Sequence, residues 1–156
     1  MARQARIKSS SGIYHVMIRG INKEKVFLND FYKAKLIKII KEIKEEIEFS
    51  IIAYCIMDNH FHLLVKDNDD YLAVIMKEVC VKYAMFYNKL QDRYGYVFQN
   101  RFRSEAVENE RYLLGVLRYI HNNPIKASIT KSLYDYKWSS FNDYINYYTQ
   151  ILCNNT

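Results

Sequence analysis

Apolar and polar residues alternate along this chain with two different periods, and the changes of period divide it into elements. Residues 13–19, IYHVMIR, alternate as a strand that runs into Gly20. Asn29 or Asp30 then caps a helix to about Glu48, in which Leu36, Ile40, Ile43 and Ile47 recur at spacings of three and four. The pairs Lys38/Glu42, Lys41/Glu45 and Lys44/Glu48 fall outside that stripe, as on a solvated helix face. Two apolar runs, one from Ile51 to Met57 and one from Phe61 to Val65, flank the polar step Asp58-Asn59 and predict a tight hairpin over 51–66. Asp69 or Asp70 caps a second helix, with Leu72, Ile75, Val79, Tyr83, Phe86 and Leu90 as its buried stripe. Gly95 marks a turn, and the segment from Val97 to Val107 alternates as a fourth strand with Arg101, Arg103 and Glu105 on one face. A third helix runs from about Glu110 to Asn122 and stops at Pro124, because the residue before a proline resists helical geometry. The tail, with Trp138-Ser139-Ser140 and many tyrosines, shows no clear period.

The order β-α-β-β-α-β is that of the ferredoxin-like split βαβ fold, in the α+β class. It predicts an antiparallel sheet with helices on one face and the other face free for a ligand, plus a C-terminal helix beyond the motif. The chain has 156 residues, half of them hydrophobic, which suits one domain spanning 1–156. Four glycines and one proline leave little room for linkers or low complexity. No apolar run is long enough to cross a membrane, and MARQARIKSS has no apolar block behind its charges, as a secretory signal would. Cys55, Cys80 and Cys153 show no CxxC spacing and read as reduced thiols of a cytoplasmic protein. A net charge of +6 suggests an anionic partner, nucleic acid first among them.

The chemistry concentrates in His60-Phe61-His62, directly after the hairpin step. Side chains alternate faces on a strand, so His60 and His62 point the same way, roughly 6.6 Å apart along the backbone. Phe61, Leu63 and Val65 take the core face. Two imidazoles side by side can converge on one metal ion; they can equally be hydrogen-bonded rings at the edge of a core. On the third helix, Tyr112, Gly115, Tyr119 and Asn123 form one stripe beside the apolar residues Leu113, Val116, Leu117 and Ile120. Tyr119 therefore lies at the edge of the core, one turn before an amide that can serve as an oxygen ligand. Gly115 clears space one turn earlier. His121, two residues from Tyr119, turns to nearly the opposite side.

Two histidines, an amide oxygen and open positions suit Mg²⁺ or Mn²⁺ carrying phosphate oxygens. A tyrosine beside such an ion suggests in-line attack on phosphorus. The same stripe also reads as packing plus a helix cap, and these residues alone do not choose. Arg19, Arg101, Arg103, Arg118 and Lys126, at strand ends and around the third helix, are candidates for binding single-stranded DNA.

Five ordered segments carry a resemblance over nearly the whole chain: IYHVMIRGINKEKVF, AYCIMDNHFHLLV, YVFQNRFRSEAVEN, YLLGVLRYIHNNPIKA and YKWSSFNDY. Together they resemble the single-tyrosine transposases named for a histidine, hydrophobic residue, histidine motif, and most closely the REP-associated tyrosine transposases and their insertion-sequence relatives. The resemblance implies that His60 and His62 hold a divalent metal, that Asn123 is the third ligand and that Tyr119 is the nucleophile. It implies cleavage and rejoining of single-stranded DNA beside hairpins, through a bond from tyrosine to a 5′ phosphate with a free 3′ hydroxyl left behind. Some members are homodimers in which the tyrosine helix serves the partner's site, so Tyr119 acts in cis or in trans. Alanine replaces the commoner proline at Ala106, and the tail lacks an obvious basic extension. Two rival functions stay open: a binding module for DNA hairpins without catalysis, and a metal phosphodiesterase that uses water and leaves Tyr119 idle.

Overall fold

The computed structural model describes residues 5–154. Strand β1, Ile13–Arg19, matches the predicted bounds, and β2, Ser50–Ile56, turns back through Asp58-Asn59 into β3, His60–Lys66. The Met57 amide donates to the His60 carbonyl at 2.8 Å and closes that two-residue turn. Helix α1, Asp30–Glu46, starts at Asn29, whose side chain accepts from the Phe31 amide at 3.0 Å. Helix α2, Leu72–Gln91, precedes β4, Arg103–Ala106, and α3, Glu110–Lys126, follows. A last helix, α4, covers Phe141–Asn154.

All strand pairs are antiparallel, in the order β2-β3-β1-β4, so that β3 lies between the two strands that α1 connects. That is the predicted split βαβ topology. One face of the sheet, with Val16, Ile18, Phe61 and Leu63, packs on Leu36, Ile40 and Ile43 of α1 and Ile75, Val79 and Tyr83 of α2 in a single apolar core. The other face is not left free, as expected from the motif. Val116 and Ile120 of α3 join Ala53, Cys55 and Leu64 in a second core over the β2–β3 half. The β1–β4 half keeps an opening under α3.

Four expectations need correction. Asp70 does not cap α2: it has a left-handed φ of 63° and pairs with Lys8 at 2.5 Å, while Tyr71 precedes the helix with no side-chain cap. The buried stripe of α2 ends on Tyr87, and Leu90, one residue from the end of the helix, is exposed because the core does not extend under its last turn. The fourth strand holds only Arg103–Ala106; Arg101 lies outside it. Helix α3 runs through Pro124 for one more turn, with the Ala127 amide on the Asn123 carbonyl and the Ile129 amide on the Pro124 carbonyl, each at 3.0 Å. A proline removes one donor, and near a helix end that loss is small. The continuation keeps Asn123 and Lys126 in helical register with Tyr119.

The tail has a definite place. Ile56 and Ser140 amides bond to the Trp138 and Tyr54 carbonyls at 2.8 and 3.0 Å, so residues 138–140 line the free edge of β2. Among the described residues, no helix is long and apolar enough to cross a membrane. Cys55 and Cys80 are free thiols, and the side chain of Cys153 lies outside what is described.

Candidate active site

The hairpin step holds His60 at a fixed point. Gly20, after β1, donates to the Asn59 carbonyl at 2.8 Å, and a Cβ on Gly20 would stand 2.4 Å from the Glu24 carbonyl oxygen. Only glycine lets the loop after β1 fold back so closely on itself beside the turn. Asn59 Oδ1 lies 2.7 Å from Nδ1 of His60 and accepts its proton.

His60 and His62 point to the same face, with ring centroids 5.1 Å apart and planes at 87°. Both lie between β1 and β2, His60 opposite Arg19 and His62 opposite Met17. His62 is 2% exposed. Burial, reinforced by His15, His60 and Arg19, pushes its pKa down to about 3, so the ring is neutral with one nitrogen free to donate a lone pair. The His60 pKa is also lowered by burial, against a hydrogen bond with Asn123 that raises it.

Helix α3 supplies the other groups. Its N-cap Asn109 accepts from the Tyr112 amide at 2.8 Å. Tyr119 stands edge-on to His62 at 5.6 Å between ring centroids, and Lys126 Nζ lies 5.0 Å from the centroid of the Tyr119 ring. One turn beyond Tyr119, Asn123 is buried against His60, and its amide nitrogen has no hydrogen-bond partner. Buried amide ends without partners are rare. The bond that raises the His60 pKa is one in which Asn123 accepts, so the amide oxygen already faces the histidines. Two neutral imidazoles and one such amide fit a divalent cation. Among the described residues, no group of three His, Cys, Asp or Glu side chains could hold a metal ion, so an amide would be the third donor of such a site.

A cleft of about 400 Å³ opens beside this cluster, lined by His15, Met17, His62, Arg103, Glu105, Tyr112, Gly115 and Tyr119 among others. No atom lies within 4 Å of a Cβ added at Gly115, so that glycine answers no packing need and instead leaves the cleft wide. Tyr112 lines the same cleft and donates its hydroxyl to Glu105 Oε2 at 3.0 Å. His121 turns to the opposite side, as expected, and shares a hydrogen bond of 2.8 Å with Ser140 Oγ.

The predicted DNA-binding residues divide. Arg19 and Lys126 flank the histidines and Tyr119, and Arg103 lines the cleft. Arg118 is exposed on α3, whereas Arg101 lines a separate groove with Lys77 and Phe102. One residue escaped the sequence reading. His15, on β1, has its Nε2 2.9 Å from Nδ1 of His62 and its ring beside Tyr119 at 5.8 Å. The alternation of IYHVMIR together with the β1–β3 neighbourhood of a split βαβ sheet placed it on that face.

The family model described as Transposase IS200 like matches residues 8–123, a span that includes β1, the hairpin, Tyr119 and Asn123. The chain belongs to the IS200-like transposase family. Membership makes it a DNA-cleaving enzyme. It is 27% identical over 152 residues to a Haemophilus influenzae protein named as a REP-associated tyrosine transposase, across 90% of this chain and 86% of that one. Its fold is similar to that of a REP-associated tyrosine transposase solved bound to a REP hairpin, with a TM-score of 0.76 at 20% identity over 92% of this chain and 84% of that chain. A second solved structure, named as a Deinococcus radiodurans transposase, has a TM-score of 0.52 at 16% identity over 78% of this chain and 97% of its own.

Proposed function

We propose that this IS200-like transposase cleaves and rejoins single-stranded DNA at hairpin-forming ends, with Tyr119 as the nucleophile. The observation that carries the reading is the seat of Tyr119: one helix brings its ring edge-on to His62 and Asn123 against His60. The phenolic oxygen gives up its proton and attacks phosphorus, an O–P bond to the 5′ phosphate forms, and the P–O3′ bond breaks as the 3′ oxygen takes up a proton in its place. Rejoining reverses the exchange, one phosphodiester for another, so no nucleotide triphosphate is consumed. His60, His62 and Asn123 would hold the divalent ion, Mg²⁺ or Mn²⁺. Such an ion, when bound, offsets the charge of the phosphate and polarises it.

Arg103 and Lys126 border the same space and suit the backbone of a DNA strand. Tyr119 reaches His62 of its own chain, which supports action in cis whether or not the chain forms a homodimer. The known binding of a relative to a REP hairpin supports hairpin DNA as the substrate here.

The test is Tyr119→Phe. Cleavage of hairpin-flanking oligonucleotides is expected to vanish while hairpin binding stays nearly intact, since only a hydroxyl is lost. Mass spectrometry of protein trapped on cut DNA is expected to place the adduct on Tyr119, not Tyr112. Nicking by the phenylalanine variant would mean that water is the nucleophile, and the transposase reading of this site would fall.

A further inference from the structure

Metal-binding imidazoles usually pass their second N–H to a carbonyl or a carboxylate. His60 follows that rule through Asn59 Oδ1. His62 does not: the partner of its Nδ1 is another imidazole, His15 Nε2, at 2.9 Å. A hydrogen bond between two neutral imidazoles can run either way, and the two directions have opposite consequences. If His15 donates, the proton of His62 sits on Nε2 and that nitrogen cannot bind a cation. If His15 accepts, His62 carries its proton on Nδ1 and keeps the Nε2 lone pair.

Only the second direction is compatible with the metal site proposed above, and the packing of the two rings holds them to one contact. To accept at Nε2, the neutral ring of His15 must hold its own proton on Nδ1. Its partner across the β1–β4 ladder is Glu105, a carboxylate on the same face that lines the same cleft. The rings of His15 and His62 also stack, with planes 24° apart and centroids at 5.2 Å, which restrains rotation of either one. Both belong to neighbouring strands of the central ladder, so the contact is set by register rather than by a loop.

We propose that His15 is a positioning residue: its Nε2 accepts the Nδ1 proton of His62, fixes the tautomer of that ring and keeps Nε2 of His62 available to a divalent cation. The inference rests on the metal site proposed above. His15 itself holds neither metal nor DNA in this arrangement; it acts through His62.

The tautomer can be read directly in the metal-free protein. Long-range proton–nitrogen correlation spectra of nitrogen-labelled histidines at neutral pH are expected to show His62 as the Nδ1–H form. His15→Gln, whose amide oxygen can accept the same proton, is expected to keep that form. His15→Phe keeps a stacked ring but no acceptor, and His62 is expected to move toward Nε2–H. In titrations with Mn²⁺ alone, the phenylalanine variant is expected to bind about 10–100-fold more weakly, with glutamine restoring most of the loss. Wild-type His62 in the Nε2–H form, or a phenylalanine variant that keeps Nδ1–H, would overturn the proposal. Equal Mn²⁺ affinity in wild type and His15→Phe would overturn the positioning role and leave the metal reading standing. No Mn²⁺ binding by the wild type, with His62 as Nδ1–H, would remove the metal reading and the role toward it while upholding the hydrogen bond.

Discussion

The ammonium of Lys33, in the middle of the first turn of α1 and 5% exposed, lies 2.7 Å from Asp58 Oδ1 and 3.0 Å from the Phe27 carbonyl. This links α1 to the turn that precedes His60. Asp58 is the more exposed partner, so water can compensate it in a variant, whereas the Phe27 carbonyl loses its donor. Lys33→Met is expected to cost about 1–3 kcal/mol of stability, read as a lower urea midpoint with an unchanged slope. It is also expected to weaken Mn²⁺ binding, because Asn59 and His60 follow Asp58 directly. Unchanged metal affinity in a destabilised variant would mean that the turn keeps its shape without the lysine.

Stability of the metal-free protein is expected to depend on acid in one direction. All four histidines, His15, His60, His62 and His121, have pKa values lowered from 6.5 by burial, His62 to about 3. The unfolded chain then binds more protons than the folded one in the range between the folded and the unfolded histidine pKa values. The stability is therefore complete above about pH 7 and falls as pH drops from there toward the folded values, by up to about 1.4 kcal/mol per pH unit for each histidine. Urea midpoints measured across that range should decline steadily. A midpoint that is flat from neutral pH down to about pH 5 would contradict buried, neutral histidines.

Much of this was legible in the sequence, for physical reasons that also mark the limits. The bounds of β1 and the two-residue turn between β2 and β3 follow from a period of two broken by Asp58-Asn59, a local signal. The cap at Asn29 is equally local. What depends on a partner far along the chain was not readable. Residues 138–140 lie on the edge of β2 through backbone hydrogen bonds, which leave no side-chain period. Asp70 has the residue type of a cap, but Lys8 and a left-handed backbone claim it. Within the candidate site, His60 and His62 share one strand and announce each other. His15 comes from a neighbouring strand, and its contact with His62 needs the register of that pair.

Arg101 and Arg103 look equivalent in the sequence, two apart on an alternating segment, yet they face different spaces. Arg103 lines the cleft with His62 and Tyr119; Arg101 lines the groove beside α2. Arg103→Ala is expected to weaken binding of a single-stranded oligonucleotide and to lower the slope of log affinity against log salt by about 0.7, the loss of one neutralised phosphate. Arg101→Ala is expected to leave that slope unchanged. Equal losses from the two variants would show that the strand crosses both surfaces.

Lys126 is a candidate DNA contact, and its Nζ also lies over the face of Tyr119, 5.0 Å from the ring centroid. A cation at that range from an aromatic ring at an exposed site contributes about 0.5–1 kcal/mol. Tyr119 is 42% exposed, so this contact restrains the proposed nucleophile in addition to its ring contacts with His15 and His62. Lys126→Met keeps most of the stem and removes the charge. Cleavage at saturating DNA is expected to slow about two- to five-fold, the rate equivalent of that energy. Lys126→Arg, whose guanidinium also stacks on aromatic faces, is expected to restore the rate. The salt dependence of binding separates the two roles. If the methionine variant cleaves at the wild-type rate and loses about 0.7 of the salt slope, Lys126 serves the phosphate backbone and not the tyrosine.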